Sequence, residues 1–102
     1  MNGPTSTSEF QPVTRDFAFV VARDVPAGDV LKAAQGAERA LVAGVDVFDV
    51  YEGPGIEEGA KSVAVAVTLQ PVERTLTDAE IEAAGARIVA AVGKATGATL
   101  RG

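Results

Sequence analysis

Asp49 and Tyr51 stand out in chemistry and spacing, in the stretch FDVYEG at residues 48–53 of this 102-residue chain. An ionised carboxylate only accepts hydrogen bonds, so it suits a partner that presents N–H groups. Tyrosine offers a flat apolar ring with a polar tip. In a β-strand, side chains two residues apart share a face, so Asp49 and Tyr51 point together while Phe48 and Val50 point the opposite way. Tyr51 is the single tyrosine of the chain. Plainer readings stay open for the pair: Asp49 as a solvated strand acid beside Lys61 or Arg15, and Tyr51 as an amphipathic edge residue.

Composition narrows the alternatives. The chain has no histidine and no cysteine, which removes Ser-His-Asp and Cys-His nucleophiles, disulfides and thiolate metal sites. GPGIEEG, at residues 53–59, has glycines but lacks a phosphate-loop lysine and a strand-to-helix transition. Glu57 and Glu58 have no histidine or nearby aspartate to complete a metal site. No set of titratable groups forms a catalytic constellation, so no catalytic residue and no cofactor are expected in this chain.

Fourteen acids against nine bases give a net charge of −5 and a pI near 4.6. Proteins that bind nucleic acid non-specifically neutralise phosphates with clustered lysine and arginine. This chain lacks such clusters, so any nucleic-acid contact must be local and made through bases more than through charge.

The elements that must position the pair follow from periodicity. At 47% hydrophobic residues, the length suits one core and is too short for two. Residues 1–11 are polar, without the basic-then-apolar pattern of a signal peptide, and read as a disordered tail or linker. No apolar run approaches the roughly 20 residues of a membrane span. A cytoplasmic, non-membrane placement is expected. Residues 12–102 form the folded domain.

Within it, Phe17, Phe19 and Val21 alternate with Ala18, Val20 and Ala22 as a first strand. Val30, Leu31, Ala33, Ala34 and Ala37 have helical spacing, with Gly36 a candidate end. LVAGVDVFDVYEG supplies a second strand, and KSVAVAVTLQ a third that alternates almost strictly. Thr77 and Glu80 have capping-box spacing ahead of Ile81, Ala84, Ile88 and Val92, a helical stripe with Val89 beside it. ATLRG supplies a short last strand.

The order β-α-β-β-α-β predicts an α+β ferredoxin-like split βαβ sandwich, with two helices on one face of a four-stranded antiparallel sheet. Phe17, Phe19, Phe48, Val50, Val63, Val65 and Val67 are then expected under the helices. Ala18, Val20, Asp49, Tyr51, Ser62, Ala64, Ala66 and Thr68 are expected on the open face. One conflict stands out: Val45 and Val47 share parity with Asp49 and Tyr51, so the second strand needs a bulge or cover from a neighbouring domain.

RDFAFVV, FDVYEG, GAKSVAVAVTLQ and RTLTDAEI, in that order, resemble the ferredoxin-fold anticodon-binding domain that ends the β subunit of phenylalanyl-tRNA synthetases. The resemblance covers about residues 12–102. It implies a C-terminal piece of a longer subunit that binds the anticodon loop of phenylalanine tRNA and helps read its first base, a guanine. The implied partners are that loop, the rest of the β subunit and the α subunit. ATP and Mg are implied for the parent enzyme only.

The resemblance makes Asp49 and Tyr51 the base readers, with Ala18 supporting. One carboxylate can accept both the N1–H and the N2–H of guanine, and an unstacked loop base needs an aromatic partner. Arg15, Lys61, Arg74 and Arg101 are candidates for tRNA backbone contact, although Arg15 is as readily an ion-pair partner of Asp16. The alternative class is a protein-interaction or small-ligand regulatory domain, since ferredoxin-like folds host many functions. A stand-alone acylphosphatase-like hydrolase would need a phosphate-cradling loop with a well-placed arginine, and none is found.

Overall fold

The computed structural model describes residues 12–71 and 75–101. Residues 1–11 and the candidate Arg74 lie outside that range. The elements are β1 (Val13–Ala22), α1 (Ala27–Ala37), β2 (Val42–Tyr51), β3 (Ala60–Leu69), α2 (Asp78–Thr96) and β4 (Thr99–Leu100). The strands form one antiparallel sheet in the order β2-β3-β1-β4, so β1 and β3 are central and β2 is an edge. This is the ferredoxin-like arrangement expected.

Alternation in β3 sets the layering. Val63, Val65, Val67 and Leu69 are at most 1% exposed, whereas Ala64, Ala66 and Thr68 are half-buried on the opposite face. Val30 and Ala34 of α1, and Ile81, Ala84, Ile88 and Val92 of α2, complete the core with Phe19. Both helices thus bury one stripe against the same sheet face. α1 runs through Gly36 and ends one residue later, at Ala37.

Local chemistry fixes α2 at both ends. The Thr77 hydroxyl accepts from the Glu80 amide at 3.2 Å, and the Glu80 carboxylate accepts from the Thr77 amide at 2.9 Å. These bonds satisfy two amide donors that the first turn leaves without helical partners. At the other end Gly97 adopts φ 75° and donates to the Gly93 carbonyl. An L-residue is disfavoured in that left-handed conformation.

The second strand resolves its parity conflict as anticipated. Its register against β3 slips between Val42 and Gly44 and again between Val47 and Asp49. Val45 and Val47 therefore stand opposite core-facing Val67 and Val65, while Asp49 and Tyr51 stand opposite Ala64 and Ser62. One extra residue, Phe48, switches the strand's parity.

The same slip corrects two expected core residues. Phe48 is 58% exposed and Val50 48% exposed, neither packed beneath a helix. Phe48 is the residue skipped at the bulge. Val50 faces the same way as buried Val63 but lies on the edge strand, with a sheet neighbour on one side only.

Candidate functional site

The strand register arranges the open face in rows. Asp49 pairs with Ala64, which pairs with Ala18. Phe19 and Val20 of β1 pair with Leu100 and Thr99 of β4. The Arg101 amide then donates to the Ala18 carbonyl at 2.6 Å, adding Arg101 to the end of the Asp49 row. The next row runs Tyr51, Ser62, Val20, Thr99, and on the other side lies Asp46, Ala66, Asp16. Asp49 thus borders a floor whose two central residues are alanines, and backbone and small side chains leave room there for a flat ligand.

Tyr51 closes one end of this floor. It is 37% exposed, and its hydroxyl donates to the Pro54 carbonyl at 2.8 Å, which fixes the ring beside the β2–β3 turn. Gly53 makes this packing possible. Its φ is 140°, and a Cβ there would come within 3.2 Å of the Tyr51 hydroxyl. The glycine is required both by backbone conformation and by close approach.

The expected site residues separate into two groups. Ala18, Asp49, Tyr51 and Arg101 share the open face. Arg15 stands opposite Val67 and Lys61 opposite Val21, both helix-side positions. Neither therefore accompanies Asp49, and the Arg15 guanidinium donates instead to the Thr14 carbonyl. Arg15 lines an apolar groove of about 550 Å³ with Phe17, Gly85, Val89 and Leu100, on the far side of the sheet.

Two features escaped the sequence reading. Ser62 is 4% exposed and is the one polar side chain buried among the described residues. It lies between Tyr51 and Val20 in register, on the same sheet face as the alanine floor. Alternation had placed it on that face, but nothing in the pattern marked its burial. The second feature is the acid row: Asp16 and Asp46 flank Ala66, which gives the open face three carboxylates with Asp49. Among the described residues, no three acids converge as metal ligands and no helix is long and apolar enough to cross a membrane. Arg23 pairs with Glu52 at 2.9 Å, and Arg87 with Glu38 at 2.8 Å, both away from the alanine floor.

Known proteins place this geometry in context. A family model described as "ferredoxin-fold anticodon binding domain" matches residues 8–101. The phenylalanine–tRNA ligase β subunit of Bradyrhizobium diazoefficiens is 64% identical over 94 residues, and that of Nitrobacter winogradskyi 61% over 93, covering 92% and 91% of the chain. That of Rhodopseudomonas palustris is 59% identical over 95 residues, or 93% of the chain. In each case the chain spans only 12% of the relative's length. This chain belongs to the ferredoxin-fold anticodon-binding domain family.

Proposed function

We propose that this chain is the anticodon-recognising module of a phenylalanine–tRNA ligase β subunit, and that its open sheet face receives the first anticodon base of phenylalanine tRNA. The shared orientation of Asp49 and Tyr51, over a floor of Ala18 and Ala64, carries this reading. The Asp49 carboxylate accepts from the N1–H and N2–H of guanine. Tyr51, held by Pro54, provides the stacking surface that an unstacked loop base needs.

An acidic surface suits this task. It rejects phosphates and favours base edges rich in donors, and guanine is the base that sets two N–H groups side by side. Adenylation with ATP and Mg, and transfer to tRNA, are assigned to the rest of the enzyme, with the α subunit and remaining β chain as partners in the cytoplasm. Useful affinity then comes from linkage to other tRNA contacts of the complex.

One observation favours a protein-interaction role: Phe48 and Val50 are exposed together on the free edge of β2. The two readings diverge under Asp49→Asn. In the complete ligase, replacing the first anticodon base should cost the wild type about 1–3 kcal/mol, or about 5- to 150-fold in kcat/KM, if a bidentate contact is lost. Asp49→Asn should shrink that penalty. Equal penalties in wild type and variant would leave the interaction reading standing and remove the anticodon one.

A further inference from the structure

We propose that Gly53 is the positioning residue of the stacking site: by carrying no side chain, it lets the Tyr51 ring stand in one orientation before RNA arrives. The inference rests on the base-stacking reading of Tyr51 above and goes beyond it by naming what holds the ring ready.

Tyr51 is the last residue of β2, and past it the chain leaves the sheet. Its cross-strand neighbour there is Ser62, on one side only, so rotamer freedom persists unless other contacts remove it. Two contacts do so. The hydroxyl donates to the Pro54 carbonyl at 2.8 Å. The outer end of the ring lies against Gly53, where a Cβ would stand 3.2 Å from the Tyr51 Oη, 3.5 Å from Cζ and 3.9 Å from Cε1.

Gly53 is itself held in place. Its carbonyl accepts from the Ile56 amide at 3.0 Å, which closes the turn, and its φ of 140° is open to glycine. The backbone beside the ring is therefore fixed by the turn. A methyl group at position 53 meets the hydroxyl closer than ordinary contact allows, so the ring or its bond to Pro54 must yield. The clash is with the hydroxyl alone. Cζ, at 3.5 Å, is already at van der Waals distance, so a phenylalanine ring fits against the same methyl.

Ordering one rotamer-rich side chain on binding costs about 2- to 13-fold in affinity. A ring ordered beforehand spares the site that loss, which matters where recognition depends on few contacts.

The test is charging of phenylalanine tRNA by the complete ligase carrying Gly53→Ala, Tyr51→Phe, the two together, Gly59→Ala or Tyr51→Ala. Gly59 lies in the same loop with φ 86° and open space where a Cβ would be. Gly59→Ala thus strains the backbone without touching Tyr51. Gly53→Ala should lower kcat/KM by about 2- to 13-fold, and Gly59→Ala should leave it at the wild-type value. Adding Tyr51→Phe to Gly53→Ala should restore charging to the level of Tyr51→Phe alone, a rescue that backbone strain cannot produce. The ring can also be watched directly, because Tyr51 is the single tyrosine. In the 102-residue chain labelled on the tyrosine ring, its NMR signals should move in Gly53→Ala and stay in place in Gly59→Ala.

Wild-type charging by Gly53→Ala overturns the proposal. So does a double variant no better than Gly53→Ala, which would put the fault in the turn. If Gly53→Ala does not fold, the double variant decides: recovered fold and charging support the proposal, and no recovery overturns it. Tyr51→Ala keeps these outcomes distinct from failure of the stacking reading, which fails if that variant charges like wild type, whatever Gly53→Ala does to the ring signals.

Discussion

At Tyr51 two properties of one side chain can be separated. The ring offers a stacking surface, and the hydroxyl is engaged with the Pro54 carbonyl at 2.8 Å. Removing the ring should therefore matter more for tRNA than removing the hydroxyl. In the complete enzyme, Tyr51→Ala is expected to lower kcat/KM for aminoacylation by about 1–3 kcal/mol, the usual worth of a stacked base. Tyr51→Phe should stay near wild type in charging and lose about 1 kcal/mol or less of stability. Kinetics of the two variants side by side check this. A Phe variant as impaired as the Ala variant would shift the role from the ring to the turn it holds. The pairing of Asp49 with Tyr51 was legible in FDVYEG because a two-residue spacing fixes a shared face. The burial of Ser62 was not legible, since its cross-strand neighbours Tyr51 and Val20 come from strands far apart in sequence. The placement of Arg101 was equally hidden, because a two-residue strand has no pattern that declares its register.

At the scale of elements, local signals and tertiary outcomes agree where a single segment decides. Thr77 and Glu80 cap α2 as their spacing implies, and Ile81, Ala84, Ile88 and Val92 are all buried. Replacing Thr77 with Ala removes the hydroxyl acceptor and is expected to cost about 1 kcal/mol. For a domain of this size that lowers the melting temperature by about 4–8 °C, measurable by circular dichroism. Base discrimination should remain intact, because the cap lies on the helix layer. An unaltered melting curve would mean the cap bonds are replaced by water at no cost. β2 was harder to read. Its parity conflict announced an irregularity, and the register slip at Phe48 supplies it. The exposure of Phe48 and Val50 could not be inferred, because alternation does not say which strand forms the edge of the sheet.

For the whole molecule, the division of faces is the organising feature. One face of the sheet is closed by two helices over a valine-rich core. Among the described residues, the other face carries small residues, three carboxylates, one tyrosine and one guanidinium. This partition accounts for a nucleic-acid module with a net charge of −5. Under the proposed function, recognition rests on a few base contacts, and a basic field is unnecessary. Two good contacts provide about 2–6 kcal/mol, against an association cost of about 4–15 kcal/mol. The isolated chain should thus bind RNA weakly and rely on its parent for affinity.

Weak binding makes chemical-shift mapping the most direct test of the open-face claim. An anticodon stem–loop of phenylalanine tRNA is titrated into the isotopically labelled 102-residue chain, and amide shifts are followed in fast exchange. The expected result is perturbation at Ala18, Asp49, Tyr51 and Ala64, with little change along α1 and α2. Shifts confined to the helix-side groove around Phe17, Gly85 and Val89, with the alanine floor undisturbed, would contradict the account.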